Sequence, residues 1–452
     1  MRKIPLLLCA AACALQAAPP AVFAIRDARV VRVSGPVLER GTVLIRDGLI
    51  QQVGPNVTIP PDAWVIEGQG LTVYPGLIDA LSTLGIAEAA APATPVTGRG
   101  SSRTQQPPST PAPSETPGTP ATPTPAATPA RGPEDRPSNT SWVRAADLVS
   151  PADRRLEAAR STGFTTAVTF PQRGIFAGQG AVVNLAGEKG GQMVVSSPAG
   201  LYLSMSGGGF TSFPGSLFGV MAYVRQIFLD ADYYKAAKEA YAARPVGVKR
   251  PEYDRALEGV LEAPRLLLPA MRAVEVDRML KFAAELKRPT VLYGAHEAYR
   301  AAELLKKSGT PVLVSLRWPE RSRDADPEDI EALRILEMRD RAPSTPAALA
   351  KAGVTFAFYT DGVTSARELV RAIRRAVEAG LAPADAVRAF TLSPAEIFGV
   401  ADRLGSIDPG KIANLVVTSG DLFQEKTQIK HVFVDGVKYE PAPEAPAEEV
   451  SR

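Results

Sequence analysis

The sequence predicts an α/β protein: parallel strands and helices closed into a barrel, beside a small sheet assembled from both ends of the chain. Three observations predict it. Helix-like and strand-like segments alternate between Arg154 and Ile397, and short apolar alternations broken by turn residues open the chain after Val22 and close it before Glu440. The 452 residues, 45% of them apolar, also suffice for more than one folded unit.

In chain order, "MRKIPLLLCAAACALQAAPP" has a short basic head, an apolar run and small residues near Ala17 and Ala18, which reads as a secretory signal peptide over residues 1–18. It is too short to span a membrane. The expected location is therefore the periplasm or the exterior, with a lipoprotein anchored through Cys13 as the alternative. Both cysteines, Cys9 and Cys13, lie in this leader, so cleavage leaves no thiol, no disulfide and no cysteine-type metal site. No later run is apolar enough for a membrane span. The net charge of +3 comes from 51 basic and 48 acidic residues without a basic stripe interleaved with aromatics, and no nucleic-acid partner is expected.

Residues 19–75 read as the first part of the small sheet. "FAIRDARVVRV", "GTVLIRDGLIQQVG" and "AWVIEG" are short alternations expected to pair antiparallel, with Asp47-Gly48 supplying the positive dihedrals of a tight hairpin. Residues 76–397 carry the barrel. Within them, 88–141 is a Pro/Thr/Ser-rich loop expected to be disordered, because 13 of the chain's 41 prolines fall between Ala91 and Thr140 among almost no large apolar residue. "RRLEAARSTGFTTAVTF", "RPTVLYGAHEAYRAAELLKKSGTPVLVSL" and "PAALAKAGVTFAFYTDG" follow as helix–strand units, with helices closing near Gly163 and Gly309. "TSARELVRAIRRAVEAGL" opens on a capping box, Ser365 with Glu368, and "SPAEIFG" predicts Ser393 as a helix N-cap with Pro394 at the first helical position. The aromatic and Leu/Met positions between Leu201 and Leu286 read as helix packing. Residues 398–440, with Pro-Gly and Asp-Gly turns, return to strands and complete the small sheet; 441–452 is an expected disordered tail.

Three of these stretches in this order, "AIRDARVVRV…GTVLIRDGLIQQVG", "VYPGLIDA" and "TLSPAEIFGVADRLGSIDPGKIANLVVTSGDL", resemble the amidohydrolase superfamily, close to its imidazolonepropionase-like branch. The resemblance implies a distorted (β/α)8 TIM barrel with a composite β-sandwich from both termini. It also implies hydrolysis of non-peptide carbon–nitrogen bonds by water activated on one or two divalent metals. Such a centre typically takes four histidines and an aspartate. This chain has two histidines, His296 and His431. The positions that resemble the family's ligand places hold Leu81, Thr83, Pro269, Met271 and Tyr293, and only Asp361 in "FAFYTDG" keeps the expected residue.

Asp361 is accordingly the catalytic candidate, as general base or residual ligand; its alternative is a cap on the turn that follows. Tyr293 and His296 are the candidate ligand-binding residues, and His296 with Asp361 would be the pair for a single zinc ion. No metal-ligand set is assigned, and no cofactor is expected beyond that ion. Asp79 reads as structural and His431 as a packing residue in a sheet strand. The glycines of "GIFAGQGAVVNLAG" lack the strand-to-helix setting of a nucleotide loop, and no nucleophile elbow occurs. The expected function is an exported member of this superfamily with a degenerate metal site, inactive or reduced in catalysis, binding a small molecule or a partner at the barrel mouth. The alternative is an active enzyme, mononuclear or metal-free, with Asp361 as base. A cell-envelope protein and a second copy of the chain are the macromolecular partners to expect.

Overall fold

The computed structural model describes residues 22–86, 136–207, 213–322, 324–326, 328, 330–363 and 365–441. The expected leader, its two cysteines, most of the Pro-rich loop and residues 442–452 lie outside the described residues. Strands β1 (Val22–Val30), β2 (Leu38–Arg46), β3 (Leu49–Gly54), β4 (Trp64–Glu67) and β5 (Thr72–Pro75) come first. The hairpin between β2 and β3 turns at Asp47 and Gly48, whose φ angles of 51° and 79° are both in the left-handed region a two-residue turn needs. The sheet is mixed, not wholly antiparallel as expected. β4 and β5 run parallel to β1, because the chain after β3 crosses back along the sheet before pairing.

Next come β6 (Leu77–Ser82), β7 (Phe164–Thr169), β8 (Phe176–Gln179), β9 (Ala181–Asn184), β10 (Val194–Ser196) and β11 (Leu201–Leu203). β12 (Leu266–Ala270), β13 (Thr290–Gly294), β14 (Val312–Ser315) and β15 (Phe356–Tyr359) complete this part. They form two sheets, in the orders β10-β9-β7-β6 and β15-β14-β13-β12-β11-β8. The strands from β11 to β15 are all parallel, as is β6 with β7. The two sheets meet at both edges. β15 lies beside β6, and Gly180, between β8 and β9, exchanges backbone hydrogen bonds with Ala199 and Gly200 just before β11. One core fills the inside, with Ile78, Leu81, Val168, Phe170, Leu267, Val291, Leu313 and Ala357. A larger one lies between the strands and the surrounding helices.

β16 (Leu415–Thr418), β17 (Ile429–Val434) and β18 (Val437–Tyr439) then join the first sheet, in the order β18-β17-β16-β5-β1-β2-β3. The sheet is thus shared between the two ends of the chain, as the sequence predicts. His431 is half-buried in β17 opposite Val417, between exposed Lys430 and buried Val432. Gly76 marks the passage from this sheet into the barrel: its N–H donates to the Asn414 carbonyl, and a Cβ there would overlap the Thr165 side chain. Asn414 ties the two parts further. Its Nδ2 donates to Thr166 Oγ1 at 3.0 Å and Asn184 Oδ1 at 2.8 Å, and its Oδ1 accepts from the Asp435 N–H at 2.7 Å.

Two local expectations change. Residues 136–141, placed in the loop by composition, are packed: Ser141 is fully buried, its hydroxyl donates to the Ala256 carbonyl at 2.6 Å, and Asn139 bridges to Phe176. Local composition misses this because the partners are more than 30 residues away. The helix Leu392–Ile397 starts two residues early, with Thr391 ahead of it and Ser393 inside it, because it follows the helix Pro383–Phe390 without an extended linker. Ser365 caps the helix Ala366–Glu378 as expected, its Oγ accepting from the Glu368 N–H at 3.1 Å.

Candidate functional site

Asp361 stands directly after β15, where the residues that face a barrel mouth collect. Its φ of 51° and that of Gly362, 85°, turn the chain sharply there. The carboxylate is engaged across to the neighbouring strand. Its Oδ2 accepts from Ser315 Oγ at 2.8 Å, at the end of the adjacent strand β14. Neighbouring Thr360 is held from the other side, its N–H donating to Asp79 Oδ1 at 3.1 Å and its hydroxyl to Asp79 Oδ2 at 2.7 Å. Asp79 is 1% exposed, and burial pushes its carboxyl up to about 6 against the opposing hydrogen bonds from Thr360. It is therefore a tie between β6 and β15 that fixes the turn carrying Asp361, and the nearby Asp361 charge raises it further.

His296 follows β13 and is 5% exposed, near the Trp318 ring. Burial holds it below the usual histidine range, so the ring is neutral, while a hydrogen bond to the Ser315 backbone and the Asp361 charge pull the other way. Ser315 thus engages both groups, His296 through its backbone and Asp361 through its hydroxyl. The remaining nitrogen, Nε2, is sealed from solvent and has no partner.

Tyr293, on β13, points into the barrel and stacks on Tyr202 of β11 at 5.1 Å between ring centres. Its hydroxyl donates toward Tyr202 Oη at 2.9 Å and the Leu203 carbonyl at 3.1 Å. Burial pushes Tyr293, Tyr202 and Tyr359 above the usual phenol range, and the Asp361 charge adds to it in all three. Asp361, His296 and Tyr293 all follow or end strands of the parallel sheet at its carboxyl end. The structure adds Ser315, Thr360, Tyr202 and Tyr359, which sequence reasoning missed. A polar or phenolic residue ending a short apolar strand, as in "VLVS" and "FAFY", was the signal available for Ser315 and Tyr359.

A separate groove of about 1240 Å³ runs along the helix Ala366–Glu378, lined by Arg367, Arg371, Leu422 and Phe423 among others. Asp361 is not among its lining residues, and the acids there, Glu378 and Glu425, are paired with Arg374.

Comparison with known proteins matches the amidohydrolase family over residues 273–438. An amidohydrolase structure from Thermotoga maritima MSB8 superimposes with a TM-score of 0.71 at 25% identity, over 93% of this chain and 100% of that one. The chain resembles the amidohydrolase superfamily. The adenine deaminase of Moorella thermoacetica is 40% identical over 78 residues, 17% of this chain and 13% of that protein. That of Gluconobacter oxydans is 35% identical over 146 residues, 31% of this chain and 22% of that protein. The chain thus spans less than a quarter of the length of these curated relatives.

The amidohydrolase family typically relies on metal, and the donor set can be tested against that requirement. Leu81 is 4% exposed in the hydrocarbon core inside the barrel. Thr83 Oγ1 accepts from Arg155 Nη1 at 3.0 Å, and Arg155 Nη2 also donates to the Thr83 and Ile86 carbonyls at 2.9 and 2.7 Å. Pro269 and Met271 offer no strong ligand atom, and the Tyr293 hydroxyl is engaged within the protein. Among the described residues no three His, Cys, Asp or Glu side chains converge. These residues do not fit a two-metal centre.

Proposed function

We propose that this amidohydrolase-like protein is exported and no longer runs two-metal hydrolysis, and that its barrel mouth binds a small molecule. One observation carries the reading: of the positions that resemble ligand places, only Asp361 offers a carboxylate, while Leu81 is core and Thr83 is bonded to Arg155. A cation stripped of water there would lack the donors to replace its hydration shell. The test is turnover. Protein purified without chelator is assayed on cyclic amides, dipeptides and adenine, before and after loading with zinc or manganese. The reading expects rates indistinguishable from those of Asp361→Asn protein. Saturable, metal-stimulated hydrolysis lost in that variant would overturn it.

A second reading, a metal-free or mononuclear hydrolase with Asp361 as general base, is favoured by the unpartnered His296 Nε2 near the same carboxylate. The same assay separates the two, because only an enzyme loses turnover in both Asp361→Asn and His296→Gln. Export, with a cell-envelope partner or a second copy of the chain, belongs to the proposal as well. The mass of the N-terminal peptide from a periplasmic fraction tests it: a chain still beginning at Met1 would count against export.

A further inference from the structure

We propose that the groove along the helix Ala366–Glu378 is the docking site of the chain's own C-terminal segment, residues 442–452. This surface is separate from the barrel mouth, and its role stands whether or not the mouth binds a ligand.

Position selects this occupant first. The groove lies between that helix and the loop joining β16 to β17, and Pro441 is one of its lining residues. The chain leaving β18 therefore enters the groove at the last described residue, and residues 442–452 start inside it. Their reach is sufficient. Eleven residues with Pro443 and Pro446 among them extend to roughly 34 Å, whereas the 13-residue helix is about 20 Å long.

Charge agrees. Four arginines line the groove against two glutamates, and they are not equally engaged. Arg374 pairs with Glu425 at 3.0 Å and Glu378 at 3.6 Å, and Arg375 with Glu320 at 3.1 Å. Arg367 and Arg371 are exposed, one helical turn apart, and form no ion pair among the described residues. The segment carries Glu444, Glu448 and Glu449 against a single Arg452, so its charge complements theirs. Its other side chains suit the floor, where Leu369 and Leu422 are buried and Phe423 and Ile429 half-buried. Alanine, proline and valine lie on such a surface at little cost in side-chain entropy, and the fixed proline dihedrals reduce the backbone cost. A free acidic peptide or phosphate would meet the same arginines, but it competes with a segment tethered at the groove, whose effective concentration is millimolar.

Carbodiimide coupling of the full-length Arg371→Lys protein tests this, because the reagent joins a carboxylate to an amine only where the two are in contact. The variant keeps the positive charge. It is mixed with an equal amount of the same protein carrying a heavy isotope, and the products are mapped by mass spectrometry. The expected result is coupling of Glu444, Glu448 or Glu449 to position 371 within one chain, at a yield about 5-fold or more above coupling to Lys281 or Lys306, which do not line the groove. Hydrogen exchange of the full chain supplies a second readout. Neutralising the segment by Glu444→Gln, Glu448→Gln and Glu449→Gln together should speed exchange over residues 422–428 about 5-fold. Tail coupling no stronger at position 371 than at Lys281 or Lys306 would overturn the inference. Coupling found only between two chains, or exchange unchanged in the triple variant, would overturn it equally.

Discussion

Two polar clusters inside this molecule are built from similar groups and differ in how completely they are satisfied. At the seam between the composite sheet and the barrel, Asn414 gives both N–H groups to Thr166 and Asn184, and its oxygen takes the Asp435 N–H. At the mouth, His296 Nε2 has no partner and Asp79 is held buried with a raised carboxyl pKa. A complete network rigidifies a fold, whereas a buried group left unpaired costs stability and persists where a ligand or reaction supplies its partner. The contrast marks the seam as structural, and the unpaired nitrogen supports the binding role proposed for the mouth.

The strongest way to break that contrast is at the seam. Asn414→Ala leaves the Asp435 N–H and its two acceptors short of partners and opens a void, so the protein should lose about 3–4 kcal/mol in urea unfolding. A loss below about 1 kcal/mol would remove the seam from the structural side.

Asp79 sharpens the contrast through pH. Its folded carboxyl titrates near 6 against an ordinary 3.8, so the folded state holds the proton that the unfolded chain has released. Stability from this group is complete below pH 4 and is lost as pH rises to about 6, a change of roughly 3 kcal/mol. Subtracting the pH profile of Asp79→Asn from that of the parent should isolate a falling contribution over that window. A rising one would contradict the burial account.

Arg155→Ala removes the grip on the Thr83 and Ile86 carbonyls and the Thr83 hydroxyl, and should cost about 2 kcal/mol with no change in ligand binding at the mouth. Smallest of all, His296→Phe should cost about 1 kcal/mol, because the hydrogen bond to the Ser315 backbone is lost while an unpaired buried nitrogen is replaced by hydrocarbon of similar shape. A loss of several kcal/mol in its thermal unfolding would show that Nε2 has a structural partner.

How much of this was legible in the sequence follows the distance between partners. The Asp47-Gly48 hairpin, the helix ends at Gly163 and Gly309 and the capping of Ser365 are local, and they appear where turn and cap chemistry put them. The composite sheet was legible because both ends of the chain carry the same alternation. Asp361 was found as a position but not as a partner of Ser315, 46 residues away. The Thr360–Asp79 tie spans 281 residues, Tyr293–Tyr202 spans 91 and Arg155–Thr83 spans 72. No local periodicity encodes such pairs, since they exist only once β6, β11, β13 and β15 are side by side. The mixed pairing of β4 and β5 was hidden for the same reason.

The central claim is that side chains at the barrel mouth no longer form a two-metal ligand shell. Elemental analysis of the protein, expressed with zinc, manganese and iron supplied and purified without chelator, addresses it most directly. The account predicts well under one metal per chain, unchanged in Asp361→Ala. Two metals per chain that disappear in that variant would contradict it.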